Sequence, residues 1–113
     1  MPAAQEDYLL RMLRDAALFI RRVFDANKRG AREEATYILD DAWTQLLGLP
    51  RAVGQRLDAA SLARLLANAE RCTIAADLLE TEANLCEQDG KNEIAATLRQ
   101  TAATIKLQYP SST

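Results

Sequence analysis

Histidine is missing from the sequence, and so are the glycine-rich strings that bind nucleotides. Histidine is the commonest metal ligand and the commonest general base, so its absence excludes Ser-His-Asp triads, histidine-ligated zinc sites and metalloprotease motifs. Neither GxGxxG nor GxxxxGKS/T occurs. The sequence therefore predicts a protein that is not an enzyme and that has no catalytic residue, no metal and no cofactor.

Long hydrophobic runs are also missing. No apolar run reaches about eighteen residues, and no apolar stretch follows a basic N-terminus, so neither a membrane span nor a secretory signal is predicted. We therefore expect a cytoplasmic location. The chain of 113 residues has only four glycines and three prolines, and 49% of its residues are hydrophobic. This composition, rich in Ala, Leu, Arg and Glu, favours helices.

The two cysteines are predicted to lie in one helix. Cys72 and Cys86 are fourteen residues apart, which at about 1.5 Å per residue places them about 20 Å apart, too far for a disulfide. Fourteen residues is close to four turns, so both thiols lie on the apolar side of that helix. We interpret them as buried reduced thiols; the alternative is a reactive or intermolecular cysteine.

Apolar residues at helical spacing predict five helices. The predicted ranges are 6–29, 31–48, a short helix from Asp58 to Leu66, 70–89 and 91–107. In the first helix the apolar residues fill half of the helical wheel: Tyr8, Leu9, Met12, Leu13, Ala16, Phe19, Ile20, Val23 and Phe24. Asp58 is suited to cap the short helix, and Asn68 allows a break after it. Residues 49–57 lack a sustained period and are interpreted as a connector.

The chain also repeats itself at an offset of sixty residues. This offset superposes Gly30 on Gly90, Glu33 on Glu93, Ala35 on Ala95, Ala42 on Ala102, Thr44 on Thr104, Leu47 on Leu107 and Pro50 on Pro110. Glycine is suited to the left-handed position that ends a helix, so a turn is predicted at Gly30 and at Gly90. With a helix before and after each turn, each half is predicted to be one helical hairpin. The predicted fold is all-α, with two antiparallel hairpins joined by a short helix. A single domain 1–113 is divided into hairpin 6–48, connector and short helix 49–69, hairpin 70–107 and a frayed tail 108–113 that begins shortly before Pro110.

Two resemblances follow from these residues. Gly30-Ala31-Arg32-Glu33-Glu34-Ala35 with Ala42 and Pro50, echoed by Gly90 to Ala95, Ala102 and Pro110, resembles the second-helix half of a tetratricopeptide repeat. The Trp, Gly and Tyr typical of that family's first helix are missing. A longer part, from Asp7-Tyr8-Leu9-Leu10-Arg11-Met12 through Leu46-Leu47-Gly48-Leu49 to the second hairpin, is similar to a family of small bacterial helical proteins of unknown function. The resemblance implies a tetratricopeptide-like fold and no catalytic residue.

The first predicted helix carries a stripe of cations. Its members are Arg11, Arg14, Arg21, Arg22, Lys28 and Arg29, which lie within about a third of the circumference. Asp7 and Asp25 share that face, four residues before Arg11 and Arg29, a spacing typical of intrahelical pairs. The stripe is interpreted as a solvated, paired face; the alternatives are a site for an acidic protein, or for nucleic acid or anionic lipid. The net charge of −2 weighs against nucleic acid.

The fourth predicted helix has the opposite charge. It contains Glu70, Asp77, Glu80, Glu82, Glu87 and Asp89 against a single Arg71. Opposite charges favour the first helix lying near the fourth, within one chain or between two. We expect Arg14, Arg21 or Arg22 to reach Glu80, Glu87 or Asp77 at the rim of that contact.

Three further positions could carry function. Glu82 projects toward the apolar side of its helix and therefore needs a partner, for which Arg99 is the candidate; the alternative is a ligand-binding or catalytic carboxylate. Asp40 and Asp41 point about 100° apart on a helix, so they do not form an acid–base pair unless a third element brings groups toward them. Trp43 is interpreted as a core or interface anchor.

The sequence favours a non-enzymatic helical scaffold or protein–protein interaction module. Two hairpins are fewer than the roughly three repeats that usually cap a solenoid, so an apolar face should remain for association, and we expect a homodimer or another protein partner, with no nucleic acid and no membrane. The candidate interaction residues are Arg14, Arg21, Arg22, Trp43, Glu82 and Arg99. The alternative is a small ligand-binding protein or enzyme with a carboxylate and arginine site between the hairpins.

Overall fold

The computed structural model describes the backbone of residues 2–108 and the side chains of residues 7–108. Six α-helices follow one another in this range, with no strand among them: α1 (Pro2–Lys28), α2 (Arg32–Ala42), α3 (Arg51–Arg56), α4 (Ala59–Leu66), α5 (Ala69–Gln88) and α6 (Asn92–Gln108). Helix α2 continues into a π-helical turn, Trp43–Leu47. The all-α prediction is confirmed. Pro110, where the ordered part was expected to end, and the predicted tail from residue 109 lie outside the described residues.

The two hairpins end their first helices in the same way. Helix α1 packs along α2, and α5 packs along α6. Gly30 and Gly90 have φ values of 76° and 78°, the left-handed conformation that glycine adopts without strain. In each turn the residue after the glycine donates its N–H to the carbonyl five residues earlier, at 2.9 Å in the first turn and 2.8 Å in the second. This is the Schellman motif, so the sixty-residue repeat is a repeat of backbone hydrogen bonds.

The interpretation of residues 49–57 as a plain connector is wrong, because they contain helix α3. Pro50 is the N-cap residue of α3 and has a φ value of −61°. This proline therefore marks the start of α3 as well as the end of the helical segment before it. Gly54, in the middle of α3, is buried, and a Cβ built on it would lie 2.7 Å from Cζ3 of Trp43. A helix of six residues is too short to show an apolar period in the sequence. The side of α3 that faces Trp43 requires a small residue, and Gly54 lies there.

The predicted cap of α4 is confirmed, and Asn68, predicted only to allow a break after α4, caps α5. An oxygen of the Asp58 carboxylate accepts the backbone N–H of Ser61 at 3.2 Å. The side-chain oxygen of Asn68 accepts the backbone N–H of Arg71 at 2.8 Å. Each side chain satisfies an N–H that has no partner within its own helix, which fixes where α4 and α5 begin.

A single buried cluster joins the two hairpins. The largest side chain in it is Trp43, which is 0% exposed and lies against Gly54 of α3. The structure therefore places Trp43 in the core of the chain. Leu39, Leu62 and Leu78, from three different helices, are also almost completely buried in this cluster.

Helix α1 contacts α5 within one chain, but not through the expected arginines. Arg14, Arg21 and Arg22 are exposed and make no ion pair with the described side chains, so the predicted contacts to Glu80, Glu87 and Asp77 are wrong for the single chain. At about 100° per residue, Arg14 and Arg21 lie about half a turn from the positions two residues later, which α1 buries. The α1–α5 contact is instead neutral, as the side-chain amide of Asn27 donates to that of Gln88 at 2.7 Å.

Candidate functional site

A cleft of about 210 Å³ lies between α2, α3 and α5, where the ligand-binding alternative requires a pocket. Its lining residues are Arg32, Thr36, Leu39, Arg51, Glu82, Leu85, Cys86, Asp89 and Lys91. Three cations and two carboxylates therefore face a small space. Whether the cleft can take a ligand depends on how many of these charges are already paired.

Glu82 is paired at both of its oxygens. Its Oε2 accepts from Nη1 of Arg51 at 2.9 Å, and its Oε1 accepts from the side-chain amide of Gln55 at 2.7 Å. Arg51 also donates from Nε to Asp40 at 2.6 Å. Burial alone would lower the pKa of Arg51, but the hydrogen bond to Asp40 and the charge of Glu82 outweigh it, and its pKa is raised. Arg51 is therefore always charged, and it holds α2, α3 and α5 together.

The other end of the cleft is closed by Arg32. Its Nη1 donates to the backbone carbonyl of Leu85 at 2.9 Å and to the carboxylate of Asp89 at 2.6 Å. Its Nε is buried and has no hydrogen-bond partner among the described residues. Arg32 ties the start of α2 to the end of α5, so this side chain connects the two hairpins near their turns.

The thiol in the cleft is not an activated nucleophile. Cys86 is half-buried, and burial raises its pKa, followed by the charge of Glu82. Burial also raises the pKa of Cys72, which is fully buried next to α4. Both cysteines are free. Because the thiolate is the reactive form, neither sulfur is prepared for catalysis at neutral pH. This agrees with the interpretation of buried reduced thiols.

Arg99 does not lie in the cleft lining, and its predicted pairing with Glu82 is wrong. Its guanidinium donates to the carboxylate of Glu87 at 2.9 Å and to the side-chain oxygen of Asn84 at 2.7 Å. Asn84 and Glu87 are three residues apart on the side of α5 that faces α6. Glu82 lies about 200° from Asn84 around the same helix, toward α3. Four of the five charges of the cleft are thus held in ion pairs, and the fifth, Lys91, is exposed and makes none with the described side chains. Asp41, which is exposed, does not line the cleft.

Helix α1 carries a second candidate surface, which the sequence analysis missed. Leu10, Leu13 and Phe24 are 59%, 38% and 36% exposed, Ala17 is exposed, and Ile20 is half-buried. Their spacing of three, four, three and four residues places them in one stripe along the helix. We call these five residues the α1 seam.

The α1 seam arises because the apolar face of α1 is larger than the surface that the other helices bury. Helix α1 has 27 residues, whereas α2 has 11 and the π-helical turn 5. Tyr8, Leu13 and Phe24 belong to the predicted apolar half of α1, yet they remain exposed. An apolar sector of about half the circumference is wider than the roughly 100° stripe that a helix usually buries. The excess width of this predicted apolar sector was the sequence signal that part of it would remain exposed.

In the part of the chain that the structure describes, residues of the types His, Cys, Asp and Glu nowhere gather in a group of three that could hold a metal ion. No described helix is both long and apolar enough to cross a membrane.

Comparison of the chain with known protein families, with curated proteins and with solved structures finds no match. The resemblances to tetratricopeptide repeats and to small bacterial helical proteins therefore stay predictions from the sequence.

Proposed function

We propose that this protein is a non-enzymatic helical interaction module that binds another protein through the α1 seam. The observation that carries the proposal is the stripe of apolar side chains along α1, in which Leu10, Leu13 and Phe24 are large and exposed. Contiguous exposed apolar patches are typical of interaction sites, whereas single exposed apolar residues are common on any protein surface. The apolar face of an amphipathic helix is a common binding surface of this kind.

The cleft supports a structural role better than a ligand-binding one. Glu82 is only 13% exposed, and both its oxygens are engaged by α3. A ligand that used this carboxylate would have to break the pair with Arg51 and leave a charge partly buried and unpaired, at a cost of several kcal/mol. We therefore assign the paired cleft charges, Arg32, Arg51, Glu82 and Asp89, to holding the hairpins together.

A second copy of this chain is one candidate partner for the α1 seam. Fully burying a large apolar side chain contributes about 1.5–3 kcal/mol, and the three large exposed members of the seam are already partly covered, so burial contributes only a few kcal/mol in all. That is enough for a reversible contact, and it leaves the choice of partner to the polar groups beside the seam. Part of the sequence resembles half of a tetratricopeptide repeat, and many tetratricopeptide proteins bind other proteins. This resemblance supports a protein-binding role by analogy.

Differential capture from host extract tests the proposal. The bait proteins are the parent chain, the double variant Leu13→Glu/Phe24→Glu, the surface control Leu107→Glu, and the cleft variant Glu82→Gln. Leu107 is the better exposed residue, at 76%, and lies on α6 away from the seam. We expect a protein that the parent, Leu107→Glu and Glu82→Gln retain and that the seam variant loses. Circular dichroism confirms that each bait is folded.

Two results would contradict the proposal. Equal capture by the seam variant and by Leu107→Glu would show that the seam does not bind the partner. Loss of capture in Glu82→Gln, with the seam variant unaffected, would move the functional site to the cleft.

A further inference from the structure

Three cations stand beside the α1 seam at a regular interval. Arg14, Arg21 and Lys28 are spaced seven residues apart, and each follows a seam position by four residues. Residues four apart on a helix are neighbours, so the cations form one row along one edge of the seam. All three are exposed, and none makes an ion pair with a described side chain. The opposite edge is the side of α1 that is buried in the core.

We propose that the α1 seam binds an acidic amphipathic helix of another protein. The partner helix lays its apolar stripe on the seam and places carboxylates at seven-residue intervals against Arg14, Arg21 and Lys28. Charged residues at the edges of a helix pair set the choice and orientation of the partner more than its affinity. This inference rests on the proposed function, and it names the class of partner.

The seam and its row of cations also set the size of the partner. The interval from Arg14 to Lys28 is fourteen residues, or about 21 Å along a helix at 1.5 Å per residue. Asn27 occupies the next position in the spacing of the seam and donates to Gln88 of α5, so α5 limits the seam at that end. A partner helix of about three heptads covers the available length.

A second copy of this chain is a poor occupant of the seam. When two identical helices pair antiparallel about a twofold axis, the same flank of each lies on the same side of the interface, so the two rows of cations would lie next to each other. In a parallel pair each row would meet the opposite flank of the other helix, where Ala16 and Val23 are already buried in its own core. The antiparallel pair could offer only Asp7, the next position of the row toward the N-terminus, to Lys28 of the other copy, and it would set Arg14 against Arg21, where like charges are unfavourable.

A membrane surface also fits less well than a helix. Helices that lie on anionic bilayers carry cations on a broad polar face above the apolar one. Here exposed Asp7 and Asp25 lie among the cations of α1, Arg29 is already paired with Glu34 at 2.9 Å, and the net charge of the chain is −2. A face of mixed charge attracts an anionic bilayer less than a uniformly cationic face does.

Two designed peptides test the inference. Both have about three heptads with leucine at the seam-facing positions; one carries glutamate and the other lysine at the flanking positions. Binding of each labelled peptide to the folded chain is measured by fluorescence anisotropy. We expect the glutamate peptide to bind at least about tenfold more tightly, with a preference that shrinks when salt is raised from about 50 to 500 mM.

Charge reversal gives the sharper result. The triple variant Arg14→Glu/Arg21→Glu/Lys28→Glu should prefer the lysine peptide, which a merely damaged protein would not do. A control, Arg11→Glu/Arg22→Glu/Arg56→Glu, makes the same change in net charge with exposed residues outside the row, and it should keep the preference of the parent.

Several results would overturn the inference. They are equal binding of both peptides, binding of neither, an unchanged preference in the triple variant, a parent homodimer in sedimentation that Leu13→Glu/Phe24→Glu dissociates, or binding to phosphatidylserine vesicles without binding to the glutamate peptide. The proposed function fails separately, when the seam variant loses no protein in the capture experiment. A partner that is captured through the seam, together with peptides that bind equally, would contradict only the charge argument.

Discussion

Replacing Gly54 with alanine should destabilise this protein, although alanine is the better helix former. Within a helix, alanine is favoured over glycine by about 1 kcal/mol. Here the new Cβ would lie 2.7 Å from Cζ3 and 3.1 Å from Cη2 of Trp43. Carbon atoms in contact prefer about 3.5–4.0 Å, and the indole ring is fully buried, so either the ring or α3 must move.

The cost of that movement exceeds the helical gain. Adding a methyl group to a well-packed core costs about 1–3 kcal/mol. After the gain in helix propensity is subtracted, we expect a net loss of up to about 2 kcal/mol in the free energy of unfolding, and a fall in melting temperature of about 4–8 °C per kcal/mol. Urea and thermal unfolding followed by far-UV circular dichroism measure both quantities.

A double-mutant cycle separates the steric clash from other effects. Trp43→Phe removes the far ring atoms that Gly54 faces, so Gly54→Ala should become neutral or stabilising in that background. Ala52→Gly, at an exposed position of the same helix, measures the helical term alone and should cost about 1 kcal/mol. Stabilisation by Gly54→Ala in the parent background would refute the packing argument.

Three further predictions concern charged groups and thiols. Glu82→Ala should cost about 1–3 kcal/mol because it removes the partner of Nη1 of the half-buried Arg51, which keeps only Asp40, whereas Glu87→Ala, at an exposed pair, should leave the urea midpoint unchanged; similar losses would show that the two pairs are equivalent. Burial raises the pKa of Asp77 above its ordinary 3.8. Between the pKa of the unfolded chain and that of the folded chain, the folded state therefore binds more protons, and its stability falls as pH rises. Asp77→Asn should flatten this slope in urea titrations between about pH 3 and 6, and an unchanged slope would contradict the assignment. Alkylation at pH 7 should modify Cys86 slowly and Cys72 only on unfolding, and rapid labelling of either in the folded protein would show an activated thiol.

The turns and caps could be predicted from the sequence because their interactions are local. Gly30 and Gly90 end their helices through hydrogen bonds to residues within five positions. Asp58 and Asn68 begin theirs by accepting an N–H three residues later. In each of these cases the residues that make the structure are neighbours in the sequence. Their types and spacing were sufficient to predict the two glycine turns and the Asp58 cap, whereas Asn68 was predicted only to allow a break after α4.

The parts that could not be predicted depend on contacts between distant residues. Glu82 meets Arg51 because the turn after α2 brings α3 beside α5, and no periodicity reports that position. Helix α3 itself is stabilised by packing on Trp43, which precedes it by several residues and faces it across a turn. The exposure of Phe24 depends on how much of α1 the other helices cover, and a helical wheel shows only that the residue is on an apolar side.

The central claim is that the outer face of α1, and not the cleft, is where this protein meets its partner. Site-specific photo-crosslinking in the native host tests it most directly, with the photoreactive side chain placed at Leu13 or Phe24 of the seam, or at the exposed controls Tyr37 and Leu107. We predict that the two seam positions capture the same distinct protein, different from this chain, and that the two controls do not. Equal products at all four positions, or products at the controls alone, would contradict the account.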